Sequence, residues 1–317
     1  MKYKDAAYKA IEPIRKFITE LEENSQLPFP LGVFSGTSGY LYALYKTGIL
    51  LGNTELENLF FDNIDKLKSF VIKDKTFDVI GGVTGTIHML LNIAANCHVT
   101  KNKNHLIRLS IELEKHLHQH PVFKDQGKIY AGFSHGIAGI MSCYALLYKN
   151  TKKPIYKNIA VELRDKLNNF YSPVQQNWYN SNQNNDISNG WCHGAPGILL
   201  SFLICMECGI EIDDTYVRIA INSTKDKALG NNITYCHGDL GTLSILERCA
   251  NQLNDSVLSS QVELTFECLH QQYLKEIVSK NTIRHSYSFS LMIGITGAGL
   301  ALINKVNKIK TNILWIN

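Results

Sequence analysis

Proline, charged residues and long hydrophobic runs are all scarce in this sequence, and each shortage excludes a class of protein. Only 7 of the 317 residues are proline and 19% are charged, whereas 45% are hydrophobic. This balance excludes a disordered chain and predicts a sizeable buried core. The longest apolar run, residues 198–206, is far shorter than the ~20 residues that cross a bilayer. We therefore expect at most a peripheral association with membranes.

An excess of positive charge is also missing. The formal net charge is only +4 and no block of lysine and arginine stands out, so we expect no nucleic-acid partner. Residues 1–18 are amphipathic and lack the unbroken apolar segment of a signal peptide. We predict a cytoplasmic protein whose eight cysteines are thiols or metal ligands and not disulfides.

What the sequence does contain is a repeat. Six segments carry Gly-x-x-Gly, each preceded by an amphipathic stretch and followed by an apolar run of helical character. The second glycines of the six pairs, 44 to 58 residues apart, are Gly39, Gly85, Gly139, Gly197, Gly241 and Gly297. Helix pairs that bury their apolar members together form a solenoid or a closed ring. We predict an all-α fold over residues 1–317, a closed barrel of inner helices inside outer ones, with the glycine loops at one end. The alternative is that the glycines only allow helices to pack.

Four consecutive glycine loops place a reactive side chain at nearly the same position of the repeat. These side chains are Asp78 in the second loop, His135 in the third, Cys192 and His193 in the fourth, and Cys236 and His237 in the fifth. Two thiolates and an imidazole are ligands that zinc prefers, and a catalytic zinc site keeps its fourth position open. The matching positions of these residues in the repeat therefore predict a Zn²⁺ site held by Cys192, Cys236 and His237. The alternative is a set of buried thiols and histidines that only pack.

Read together, these motifs are similar to those of one family. GWCHGAPG, YCHGDLG, FSHGIAG, FDVIGGVTG and FSLMIGITGAG resemble the lanthionine synthetase C family, the cyclases of lanthipeptide biosynthesis. The resemblance implies an α/α toroid, usually of seven helix pairs, of which six are evident here. It implies one zinc ion on Cys192, Cys236 and His237. It also implies acid/base roles near the metal for His135 and Asp78.

The sequence departs from the family at two positions of the fourth loop. Where members often carry an arginine, four residues before the first zinc cysteine, this chain has Ser188. Arg284 and His285, ahead of the sixth loop, are candidates to replace that arginine. The residue after the first zinc cysteine is often tyrosine in the family and is His193 here, a further candidate proton donor. HLHQH, residues 116–120, looks metal-like but is expected to be a solvated helix end.

The resemblance implies that peptide cysteine thiols add to dehydroalanine or dehydrobutyrine and form thioether rings. The implied partners are a dehydrated precursor peptide and, in the same pathway, a dehydratase and an exporter. Two other functions remain open. One is a related enzyme that adds glutathione or another small thiol to dehydroamino acids, and the other is a non-catalytic scaffold with a structural zinc.

Overall fold

The computed structural model of the protein describes residues 2–21, 30–280, 288–307 and 312–316. The chain forms two compact units. Unit 1 consists of Met1–Asp125 and Asn150–Lys152, and unit 2 consists of Gln126–Lys149 and Lys153–Asn317.

Helices provide nearly all the regular structure of both units. Unit 1 contains α1 (Lys2–Thr19), α2 (Thr37–Leu51), α3 (Thr54–Asn63), α4 (Leu67–Val71), α5 (Val83–Asn96) and α6 (Thr100–Leu117). Unit 2 contains α7 (Ile137–Thr151) except its last two residues, α8 (Pro154–Asn168), α9 (Ala195–Glu207), α10 (Asp214–Lys227), α11 (Asp239–Leu253), α12 (Ser256–Lys280) and α13 (Ile295–Asn307). In the part of the chain that the structure describes, no helix has both the length and the apolar character to cross a membrane.

The helices that follow glycine loops form the core, as the sequence pattern predicts. In α9 every residue from Ala195 to Cys205 is buried, and α5 and α7 are buried on nearly all sides. The helices that come next are amphipathic. For example, α6 buries a stripe of leucines spaced three or four residues apart, Leu106, Leu109, Leu113 and Leu117. This stripe packs α6 on α5 in unit 1, and α10 packs on α9 in unit 2.

A small antiparallel sheet in unit 2 is a feature that the sequence pattern does not predict. Its strands, in the order β1-β2-β3, are β1 (Tyr171–Ser172), β2 (Asn177–Ser181) and β3 (Asn184–Ile187). The strands are two to five residues long and lie in a polar stretch, so no alternation of apolar and polar residues marks them. The hairpin of β2 and β3 leads directly into the fourth glycine loop, and in this way it positions that loop.

Each glycine loop is a seven-residue turn that ends at the first glycine of its pair. Loops 1 to 6 are residues 30–36, 76–82, 130–136, 188–194, 232–238 and 288–294. At the end of loop 4 and in the first turn of α9, the glycines are required because two backbone segments approach closely. A Cβ on Gly194 would lie 2.2 Å from the carbonyl oxygen of Ser188, and a Cβ on Gly197 would lie 2.0 Å from that of Trp191. Gly194 itself has an extended φ of −104°, so close approach is the reason for glycine and a positive φ is not.

Replacing Gly297 by alanine should therefore lower the free energy of unfolding by about 1–3 kcal/mol, because the new Cβ would lie 2.2 Å from the carbonyl oxygen of Leu291. Gly299→Ala, two residues further along α13, is the matched control. Among the described residues, nothing beyond its chain neighbours and its own helix backbone lies within 4 Å of that Cβ position. Alanine there should stabilise the helix by roughly 1 kcal/mol. Urea unfolding followed by circular dichroism measures both variants, and equal midpoints would contradict the requirement for close approach.

Candidate metal centre

Loops 3 to 6 of unit 2 lie side by side in chain order. The N–H and the hydroxyl of Ser134 in loop 3 both donate to the carbonyl oxygen of Cys192 in loop 4, at 3.1 and 2.9 Å. Loop 4 packs so closely on loop 5 that a Cβ on Gly190 would lie 2.7 Å from the Cβ of His237. The N–H of Cys236 in loop 5 donates to the carbonyl oxygen of Met292 in loop 6 at 2.9 Å. These main-chain contacts bring residues that are distant in sequence next to one another.

The three predicted metal ligands come together at the contact between loops 4 and 5. One ligand atom from each of Cys192, Cys236 and His237 lies within 4.8 Å of the other two. The Sγ of Cys192 is 4.0 Å from Nδ1 of His237. The two cysteines are half-buried and the histidine is exposed, so the cluster is open to solvent on the side of the imidazole.

The two thiols of the cluster shift each other's pKa in opposite directions. A hydrogen bond with Cys236 lowers the pKa of Cys192 to about 5, against the opposing effect of burial. The same hydrogen bond, together with burial, raises the pKa of Cys236. The pair therefore holds one negative charge at neutral pH, and nearby imidazoles favour it further. A half-buried thiolate of this kind is a ready ligand for a divalent cation.

The donor set fits zinc better than a hard cation. Thiolate and imidazole are soft or borderline ligands, whereas Mg²⁺ and Ca²⁺ prefer oxygen. Since zinc lies about 2.3 Å from a thiolate sulfur, two sulfurs on one ion are at most about 4.6 Å apart. The observed upper limit of 4.8 Å for the cluster is close to this value. Three protein ligands would leave a fourth position for a substrate.

A second group of side chains lies beside the cysteines and consists of aromatic rings that contact one another at a tilt. His135 of loop 3 and His193 of loop 4 have ring centroids 5.2 Å apart. The ring of Tyr130 lies 5.7 Å from that of His193 on another side, and Nζ of Lys128 lies 4.7 Å from the Tyr130 ring centroid. Burial lowers the pKa of His193, and the neighbouring histidines and Lys128 lower it further, although Cys192 opposes them. His193 is therefore neutral at pH 7.

Residues that the sequence analysis did not single out hold loops 3 and 4 in place. The N–H of Ala131 in loop 3 donates to the carbonyl oxygen of Asn180 in β2 at 3.0 Å. The side-chain amide of Asn180 donates to the hydroxyl of Ser188 at 2.9 Å. Ser188, at the position of the family arginine, thus takes part in anchoring loop 4. The candidates to replace the arginine, Arg284 and His285, lie outside the described residues.

Asp78, the remaining predicted site residue, belongs to unit 1. It lies in loop 2 just before α5, and its carboxylate is buried. Oδ1 accepts a hydrogen bond from the N–H of Gly81 at 2.7 Å. Unit 2 thus brings together five of the six predicted site residues, namely the three of the cluster and the histidine pair. The role of Asp78 in the same chemistry stays a proposal.

The chain matches one protein family over almost its whole length. The family model described as lanthionine synthetase C-like protein covers residues 1–316. The Lacticin 481/lactococcin biosynthesis protein LcnDR2 of Lactococcus lactis subsp. lactis is 28% identical over 197 residues, which are 56% of this chain and 21% of that protein. The Nisin biosynthesis protein NisC of the same organism is 25% identical over 251 residues, 67% of this chain and 59% of that protein. The aligned part therefore spans less than two thirds of either relative.

A solved structure shows the same fold. The nisin cyclase structure matches with a TM-score of 0.69, covering 95% of this chain and 82% of its own, at 19% sequence identity. The fold class predicted from the sequence, an all-α toroid of helix pairs, is confirmed by this likeness and by the family match. The small sheet is a minor addition to it.

Dialysed protein is expected to retain about one zinc ion per chain, and Cys236→Ala should lose it, because two remaining ligands cannot compete with the dialysis buffer. Cys205→Ala is the matched control. Cys205 is a buried thiol of α9 and is not part of the cluster, so that variant should keep its zinc. Elemental mass spectrometry measures the content. A metal-free wild type, or a Cys236→Ala variant with full zinc, would contradict the assignment of the cluster.

Proposed function

Because the chain belongs to the lanthionine synthetase C-like family, we propose that it is a zinc-dependent lanthipeptide cyclase. Its substrate is a dehydrated precursor peptide. In the reaction, a peptide cysteine thiol adds to the β-carbon of dehydroalanine or dehydrobutyrine in the same peptide. The product is a lanthionine or methyllanthionine ring, closed by a thioether.

The observation that supports this proposal is that the cluster of Cys192, Cys236 and His237 lies next to the pair of histidines. Cys192 is adjacent in the chain to His193, and the His193 ring lies 5.2 Å from that of His135. A nucleophile site and a proton-transfer site thus adjoin each other. Zinc held by Cys192, Cys236 and His237 would lower the pKa of a substrate thiol from about 8.5 and present it as the thiolate.

The reaction needs one proton removed and one delivered. The carbon–sulfur bond forms as the Cα–Cβ π bond breaks, and its electron pair moves toward the carbonyl next to the α-carbon. The thiol proton leaves to a base, and a proton is then delivered to the α-carbon. No atom is gained or lost, so the peptide keeps its mass.

The histidine pair suits both proton transfers. An imidazole can accept and donate a proton near neutral pH. His193, whose pKa is lowered by burial, is the group that accepts the thiol proton and can afterwards donate it. His135 is the group that we assign to protonate the α-carbon, and Asp78 is assigned to orient or share that step. Holding thiol and acceptor in one bound peptide contributes through proximity.

Two other functions are less well supported. A structural zinc in a scaffold would not need a half-buried, solvent-facing centre next to a neutral histidine. Addition of glutathione or another small thiol would use the same residues. A peptide substrate is favoured because two relatives are named as biosynthesis proteins of lacticin 481/lactococcin and of nisin. By the same reasoning, a dehydratase and an exporter are the pathway partners that we propose.

Incubation with a dehydrated precursor tests the proposal. The wild type should remove free thiol, measured as N-ethylmaleimide adducts by mass spectrometry, with no change in the unlabelled peptide mass. His135→Ala should cyclise about 10²- to 10⁴-fold more slowly, the usual contribution of a general acid. His98→Ala, the replacement of an exposed histidine of unit 1, is the matched control and should have no effect.

Persistent free thiol with the wild type across matched precursors would refute the cyclase assignment, and transfer of glutathione in its place would identify the small-thiol enzyme. A His135→Ala variant with the normal rate and the normal ring stereochemistry would remove His135 from the mechanism.

A further inference from the structure

Loop 2, which carries Asp78, is built differently from loops 1, 3, 5 and 6. In loops 1, 3, 5 and 6 the first N–H of the following helix donates to the carbonyl oxygen seven residues earlier. These bonds are Thr37 to Pro30, Ile137 to Tyr130, Asp239 to Asn232 and Ile295 to Ser288. In loop 2 the corresponding N–H, that of Val83, donates to the carboxylate of Asp74 at 2.8 Å. A side chain thus takes the place of the backbone carbonyl.

The Asp74 carboxylate binds other parts of the loop as well. It is buried and also accepts from the N–H of Thr76 at 2.9 Å and from the N–H of Phe77 at 3.3 Å. Two N–H groups of loop 2 and the first N–H of α5 therefore converge on one carboxylate. In loop 2 the carbonyl seven residues before the helix start belongs to Thr76. Because Asp74 accepts the Val83 N–H in its place, the Thr76 carbonyl need not face α5, and the backbone at Phe77 can take another direction.

Phe77 has a left-handed backbone with φ = 58°. This conformation costs a non-glycine residue about 1–2 kcal/mol, and a bulky residue adopts it only where its surroundings enforce it. Here the Phe77 ring stacks on His116 at 5.1 Å and meets His120 edge-on at 6.0 Å. The hydroxyl of Thr84 donates to the Phe77 carbonyl. The ring, the N–H and the carbonyl of Phe77 are all held.

The two histidines are anchored in turn. Nε2 of His116 donates to the carbonyl oxygen of Asp74 at 2.9 Å, and Nδ1 of His120 accepts from the N–H of Val122 at 3.0 Å. Both are buried, so the expectation of a solvated helix end for HLHQH is wrong for these two. The expectation failed because the motif lies against loop 2, a contact that the sequence does not show. Burial lowers the pKa of His120 to about 4, although the charge of Asp78 opposes this.

We propose that Phe77 is a positioning residue of the cyclase. Its left-handed backbone, clamped by Asp74 and by the His116 and His120 rings, sets the direction in which the next residue, Asp78, leaves the main chain. The N–H of Gly81 fixes the Asp78 carboxylate from the other side at 2.7 Å. Glycine or asparagine would adopt this backbone conformation with less strain, so a phenylalanine here is explained by the clamp on its ring. The inference rests on the proposed role of Asp78.

A double-mutant cycle on the cyclisation rate tests the inference. Phe77→Leu keeps most of the buried volume but removes the aromatic contacts. It should lower kcat by about 10- to 100-fold, the effect of a misplaced catalytic group, with KM and zinc content unchanged. In the Asp78→Asn background the same substitution should cause no further loss, because its effect passes through Asp78. Phe77→Tyr, which keeps the ring, should restore most of the rate.

Equal losses in both backgrounds would show a merely structural role and overturn the proposal, as would an unchanged kcat for Phe77→Leu. An Asp78→Asn variant with normal kcat would also overturn it, while leaving the cyclase activity itself established. If the wild type forms no ring, the proposed function fails, and hydrogen exchange then tests the clamp alone. Phe77→Leu should speed exchange of the Gly81 amide at least about 10-fold and leave the amides of α9 unchanged. Unchanged exchange at Gly81 would overturn the clamp.

Discussion

The structure depends on how closely the backbone folds onto itself in the glycine loops. Loops 1, 3, 4, 5 and 6 each end in a glycine. A Cβ on that glycine would collide with the carbonyl oxygen of the residue six positions earlier in the chain. This contact keeps each turn compact and lets one loop lie directly against the next. The consequence is chemical, because Cys192 and Cys236 reach one cluster although a complete helix pair separates them in sequence.

Charge explains what that cluster can do. The pKa of Cys192 is lowered by its interaction with Cys236, so the two thiols favour one negative charge, and the neighbouring imidazoles favour it further. Burial, helped by the neighbouring histidines and Lys128 and opposed by Cys192, lowers the pKa of His193 and so favours the neutral imidazole that can accept a proton. A thiolate ligand set and a neutral base are the two requirements for adding a thiol to an electron-poor double bond near neutral pH. Both arise from the contact of loops 3, 4 and 5, without any residue of unusual type.

The sequence predicts the parts of this account that depend on periodic patterns. Helix pairs follow from apolar spacing, and the cluster follows from thiols and histidines in register with the glycines. The sheet of β1, β2 and β3 could not be predicted, because its strands are short and polar. The buried state of His116 and His120 could not be predicted either, since it depends on Phe77, whose left-handed backbone leaves no mark in the sequence. The same is true of Asn180, which anchors Ser188 through a contact between strand β2 and loop 4.

Zinc X-ray absorption tests the central claim most directly, namely that Cys192, Cys236 and His237 hold one ion and leave a position for a substrate thiol. The protein alone should show two sulfur neighbours at about 2.3 Å. With a precursor peptide that has its cysteines but no dehydro residues, so that no ring can form, the spectrum should show three. Fewer than two sulfur neighbours in the protein alone, or no change when that peptide is bound, would contradict the account.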